Sequence, residues 1–109
     1  MDAEDNKLLV LARATRGRVG GADAAAIRDL DGRTYAAAAL ELTSLRLSAI
    51  AAAISMASSS AAKGLEAVVL LAAEPLDPTD LALVSQFAGA GVPVYRVSAS
   101  GEILEQQTS

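Results

Sequence analysis

The sequence has no cysteine, no histidine and no tryptophan, with one phenylalanine and two tyrosines in 109 residues. The missing cysteines exclude disulfides, thiolate nucleophiles and thiolate metal sites together. The missing histidines remove the usual general base near neutral pH and the commonest metal ligand. A chain without disulfides is compatible with the cytoplasm, which is the expected compartment. Basic residues are also short: 9 Lys and Arg stand against 13 Asp and Glu, for a formal charge of −4. No basic stripe is long enough to follow a nucleic-acid backbone, so no nucleic-acid partner is expected. Arg13, Arg16 and Arg18, beside Lys7, form the densest basic stretch and read as a helix C-terminus complementing its dipole.

What fills the chain is alanine, 25 residues of it, within a hydrophobic fraction of 52%. Alanine buries little area, so each core position contributes less than Leu or Ile would. A small domain already buries a modest fraction of its surface. Both favour covering further surface against a second subunit, and a homo-oligomer, dimer or tetramer, is expected. Residues 42–62 carry one charge, Arg46, but their serines and that Arg argue for a buried helix and against a membrane span. The apolar run Leu8 to Ala12 is too short for a signal peptide.

Read along the chain, residues 3–16 form a helix with acids early and arginines late. Gly17, Gly20 and Gly21 end it. Glycines beside arginines could cradle a phosphate, yet no strand precedes them and no Gly-Lys-Ser/Thr follows. Residues 24–30 and 33–40 flank Asp31-Gly32, the dipeptide of a two-residue hairpin turn. Thr43 or Ser44 caps a long helix reaching Ala62, apolar nearly all round. Leu65 to Ala73 is a continuous apolar run, as in a strand covered on both faces. Asp77-Pro78-Thr79-Asp80 opens a helix to Ala88, stopped by Gly89 and Gly91. Val92 to Val97 is the next strand, parallel to 65–73 through a right-handed crossover. Glu102 to Gln106 adds an edge strand, and the tail over about 106–109, Gln107-Thr108-Ser109 included, is expected to fray. The order α-β-β-α-β-α-β implies one domain over 1–109, a three-layer α/β/α arrangement around a mixed sheet of four or five strands.

Over residues 5–98 this order and its landmarks resemble the cytidine deaminases. Ala24-Ala25-Ala26-Ile27 leads into Asp31-Gly32-Arg33-Thr34-Tyr35, then Ala39-Leu40-Glu41-Leu42. These stand where the family has Gly-Ala-Ala-Leu, Asp-Gly with a following Tyr, and Asn-x-Glu-Asn. Leu47-Ser48-Ala49-Ile50 occupies the place of Cys-Ala-Glu or His-Ala-Glu, two residues early. Glu74-Pro75-Leu76-Asp77-Pro78-Thr79 occupies that of Pro-Cys-x-x-Cys.

The resemblance implies a zinc-activated water and a catalytic Glu, but the residues in those places are of other kinds. The first ligand position holds Ser48, a neutral hydroxyl. The others fall among Leu76, Pro78, Thr79 and Ala82, according to which proline is aligned. The general acid/base position holds the apolar Ile50. Of the sugar-binding Asn and Glu, Ala39 replaces the first and Glu41 remains, either as a ligand contact or as a carboxylate at a helix N-terminus. Asp77 and Asp80 read as helix-cap residues before metal ligands. Ser48 has no His to activate it as a nucleophile.

Three readings follow. The chain is a non-catalytic cytidine deaminase-like protein, needing no cofactor and serving as oligomeric scaffold, partner subunit or binder of a small nucleoside-like ligand. Alternatively it is a metal-free enzyme built on Glu41, Asp29 or Asp31, or an unrelated α/β interaction module.

Overall fold

The computed structural model describes all 109 residues. Helix α1 (Ala3–Arg18) opens on Asp2, whose carboxylate accepts the Asp5 amide, and ends among Arg16 and Arg18. Strands β1 (Ala24–Asp29) and β2 (Thr34–Ala38) form the expected antiparallel hairpin. Its turn is wider than a two-residue one. Arg28 faces Thr34, and the Asp29 amide donates to the Arg33 carbonyl, so Leu30, Asp31 and Gly32 lie in the loop. Gly32 donates back to the Asp29 carbonyl and adopts φ +84°, the left-handed residue that follows a type I turn in a three-residue hairpin.

The helix expected from residue 44 begins later. Residues 40–47 fold instead into a small ribbon, β3 (Leu40–Glu41) against β4 (Arg46–Leu47), closed by a Leu42 amide to Leu45 carbonyl bond. Helix α2 (Ala49–Ser59) is capped by Ser48, whose hydroxyl accepts the Ala51 amide, not by Thr43 or Ser44. Helical spacing would put Leu42 and Leu45 on one face, but both are exposed on the ribbon, where hydrophobicity alone does not impose a helix. Nor is α2 buried all round. Ala49, Ile50, Ala53, Ile54 and Ala57 face the core, while Ser55, Met56, Ser58 and Ser59 face outward.

Strand β5 (Leu65–Leu71) continues the sheet beside β1. Helix α3 (Pro78–Ala88) starts as expected, with Asp77 as cap, Pro78 in the first turn and Gly89 after its end. Strand β6 (Pro93–Val97) pairs with β5 in parallel, and β7 (Ile103–Thr108) pairs antiparallel to β6. The tail expected to fray is thus a strand: Thr108 faces Pro93, and Ser109 bonds to Val92 and Gly89. Backbone pairing there fixes residues whose side chains stay exposed.

The five strands run in the order β2-β1-β5-β6-β7. Strand alternation splits the core in two. Ala25, Ile27, Val68, Leu70 and Val94 pack toward α2 and α3. Ala26, Ala67, Val69, Leu71, Tyr95 and Val97 pack toward Leu8, Leu9 and Ala12 of α1. A mixed five-stranded sheet between helical layers is the α/β architecture expected from the element order. No helix is long and apolar enough to cross a membrane.

Candidate functional site

Ligands of open α/β sheets settle beyond the carboxyl ends of parallel strands, where helix N-termini converge. Here a cleft of about 360 Å³ lies there, past Leu70 and Ala72, under the N-termini of α2 and α3. The β3–β4 ribbon supplies one wall through Leu40, Glu41, Arg46 and Leu47. The volume suits a small ligand. Asp23, Glu41, Glu74, Asp77 and Asp80 line it, with Arg46 as the one cation.

Ser48 is its structural centre. While capping α2, it donates its hydroxyl hydrogen to Asp80 Oδ1 at 2.7 Å, tying the first turn of α2 to the first turn of α3. Asp77 caps α3 by accepting the Thr79 amide at 2.8 Å. Both carboxylates therefore sit at a helix N-terminus, where the positive end of the dipole stabilises them. Glu41 lines the cleft from β3, exposed and opposite Arg46 in the ribbon register. That placement shows why the cap reading of Glu41 fails: the helix starts at Ala49, and the carboxylate belongs to a strand.

Ile50 lies in the core on the α2 side, fully buried in one cluster with Ile27 and Ile54. Leu76 is likewise turned into that core, whereas Thr79 and Ala82 are exposed and Ala39 lines the cleft. Asp29 and Asp31 are brought nowhere near Glu41. The cleft takes Asp23 at the start of β1, while Asp29 ends the strand, about 20 Å away at the rise of an extended chain. Asp29 is buried in the hairpin turn, accepting the Tyr35 hydroxyl at 2.7 Å and the amides of Asp31 and Arg33. Burial would raise its carboxyl, but those donors and the Arg33 charge prevail and hold it below the usual carboxylate range.

A brace behind the cleft was not legible in the sequence. Arg96 on β6 donates to the Ala72 and Ala73 carbonyls and to Glu105 on β7 at 3.1 Å. Glu105 in turn accepts the Leu76 amide at 2.9 Å. The two side chains fix the loop from β5 to α3 from both sides. The Leu76 amide, then Gln107 and Arg96, hold the Glu105 carboxyl below its ordinary value despite partial burial. The alternation of β7 could have flagged Glu105 as inward, but nothing in it indicates a backbone partner 29 residues away.

The donors at the cleft do not fit the zinc that the resemblance implies. Ser48 and Asp80 supply one hydroxyl and one carboxylate, already bonded to each other. No group of three or more Asp and Glu side chains is arranged to hold a metal ion.

The profile of the family described as cytidine deaminase-like matches residues 1–101. Among solved structures, cytidine deaminase from Burkholderia pseudomallei superposes with a TM-score of 0.76 at 15% identity, covering 100% of this chain and 92% of that one. Cytidine deaminase from Mycobacterium leprae gives 0.72 at 19% identity, over 98% and 94%. Cytidine deaminase from Mycobacterium tuberculosis gives 0.70 at 19%, over 85% of each. A comparison with curated proteins returns no match. The likeness to these structures is one of fold. With the profile spanning residues 1–101, the chain belongs to the cytidine deaminase-like family.

Proposed function

We propose that this protein is a non-catalytic cytidine deaminase-like protein that binds a small, nucleoside-like ligand in the cleft and works as a homo-oligomer. One observation carries the first part: the Ser48–Asp80 hydrogen bond joins the two helix N-termini directly, where the resemblance places a metal ion between them. A hydroxyl paired with a carboxylate neither ionises near neutral pH nor activates a water. Ile50, in the position of the acid/base Glu, is an alkyl group in the core with no proton to transfer. The fold retains the cleft, its polar lining and Glu41, so hydrogen bonding to a hydroxylated ligand needs no catalytic apparatus.

Support for the oligomer comes from α2. Its outward side, with Ala52 half-buried and Ser55, Met56 and Ser59 exposed, is uncharged and, apart from Met56, small, and would let another backbone approach closely. The alanine-rich core gives a single copy little large-residue burial.

The test is a paired measurement on purified protein. Cytidine incubated with it yields no uridine above a buffer blank, and added zinc does not raise the melting temperature. In a panel of nucleosides and free sugars, at least one raises it, and Glu41→Ala abolishes that rise. Uridine production, or stoichiometric zinc in protein purified without chelator, overturns the non-catalytic reading. A panel without any shift overturns the ligand.

A further inference from the structure

The opposite face of the same sheet edge carries charge of the other sign. At the end of α1, Arg13 and Arg16 line a groove of about 550 Å³ together with Gly17, Gly20, Gly21, Leu71 and Ala99. The groove lies beyond the carboxyl ends of β5 and β6, on the α1 side, and meets the acidic cleft only at Gly21, which also lines a pocket with Asp23 and Glu41. Neither Arg13 nor Arg16 has a carboxylate within salt-bridge distance, and neither does Arg18, in a chain with four more acids than bases. Each lining guanidinium is instead aimed by its Nε: Arg13 donates to the Ala99 carbonyl at 2.8 Å, Arg16 to the Gly21 carbonyl at 3.2 Å.

These bonds have two consequences. They occupy the carbonyl oxygens of Ala99 and Gly21, acceptors in the loops beyond α1. They also fix the guanidinium planes while their terminal Nη groups make no hydrogen bond within the chain. The glycines leave the floor open: a Cβ at Gly17, Gly20 or Gly21 would meet no atom within 4 Å.

From this geometry we infer that Arg13 and Arg16 form an anion site for a phosphate group, free or carried on a small molecule. Two fixed guanidiniums match tetrahedral oxyanions through paired N–H donors. Lysine side chains would not be aimed in this way.

The experiment is an NMR titration of the full chain with inorganic phosphate at constant ionic strength, held with sodium chloride because exposed charge pairs are screened. Saturable shifts are expected in the amides of Gly17, Gly20, Gly21 and Ala99. A nucleoside 5′-monophosphate and its parent nucleoside form two further arms. A monophosphate shifting the same amides at lower concentration assigns the phosphate to a nucleotide. Equal affinity assigns it to free phosphate, and both outcomes support the site. The nucleoside alone should leave the Gly17, Gly20 and Ala99 amides unmoved, which keeps the result separate from binding in the acidic cleft, since of the four only Gly21 shares a pocket with Glu41. Arg16→Gln should weaken phosphate binding by about tenfold or more, since a charge-assisted pair is lost. Arg16→Lys should recover it only in part, and it retains the charge if the glutamine variant folds poorly. Shifts that fail to saturate, that chloride reproduces, or that survive in the Arg13→Gln/Arg16→Gln double variant with its fold intact overturn the inference.

Discussion

Asp29 shows how one buried charge can be held inside an alanine-rich core. Four donors and charges act on its carboxylate: the Tyr35 hydroxyl, the amides of Asp31 and Arg33, and the Arg33 side-chain charge. Its pKa is lower in the folded chain than in the unfolded one. The stability it contributes is therefore fully present above the unfolded carboxylate range and is lost as pH falls through the lower folded value. Asp29→Asn should flatten the fall of melting temperature on the acid side, below about pH 4, and lower it at pH 7. An unchanged acid limb would remove Asp29 from that role. Gly32 tests the same turn differently. Its φ of +84° lies in the left-handed region, and no atom stands within 4 Å of an added Cβ. Gly32→Ala should therefore cost about 1–2 kcal/mol by chemical denaturation, from backbone conformation alone. Gly32→Asn should cost less, because asparagine tolerates that region.

At the scale of elements, the N-terminus of α2 is where local and tertiary forces meet. Ser48 is both helix cap and partner of Asp80. Ser48→Ala removes the cap, a loss of about 1 kcal/mol in comparable helices. It also removes the one side-chain hydrogen bond between α2 and α3. Asp80→Asn keeps an acceptor for that bond and should be milder. If the two variants unfold at the same denaturant concentration as the parent, the link contributes nothing to stability. The outer face of α2 gives a separate prediction. Ala53 is fully buried against its own sheet, so Ala53→Glu should unfold the monomer whatever the oligomeric state. Met56 is exposed, and Met56→Glu should leave the fold intact while dissociating an assembly that uses this face. Light scattering at micromolar concentration, read with circular dichroism, separates the two effects. A Met56→Glu variant of unchanged mass would move the interface elsewhere.

For the whole molecule, the carboxyl edge of the sheet is divided by sign. The α2–α3 side presents Asp23, Glu41, Glu74, Asp77 and Asp80, and the α1 side presents Arg13 and Arg16. Two contacts hold the loops around that edge, Arg96 with Glu105 behind the cleft and Arg13 with Ala99 at the groove. A third network, Arg28 with Asp5 and Glu66, ties α1 to the middle of the sheet.

Where the signals are local, the amino-acid sequence suffices. The hairpin around Asp31-Gly32, the start of α3 at Asp77-Pro78 and the buried strand from Leu65 were each legible from neighbouring residues, because turns, caps and periodicity act within a few positions. So was the absence of His and Cys, which set the chemistry of the cleft before any fold was known. The start of α2 was misplaced because alanine and serine carry no sharp periodicity, and a β3–β4 pairing competes with the helix over residues 40–47. Which polar groups meet depends on the folded chain. Ser48 and Asp80 are 32 residues apart, and Glu105 and Leu76 are 29. Such pairs form where strand order and helix crossing bring them, and a side chain's spacing along its own element says nothing about the element it will face.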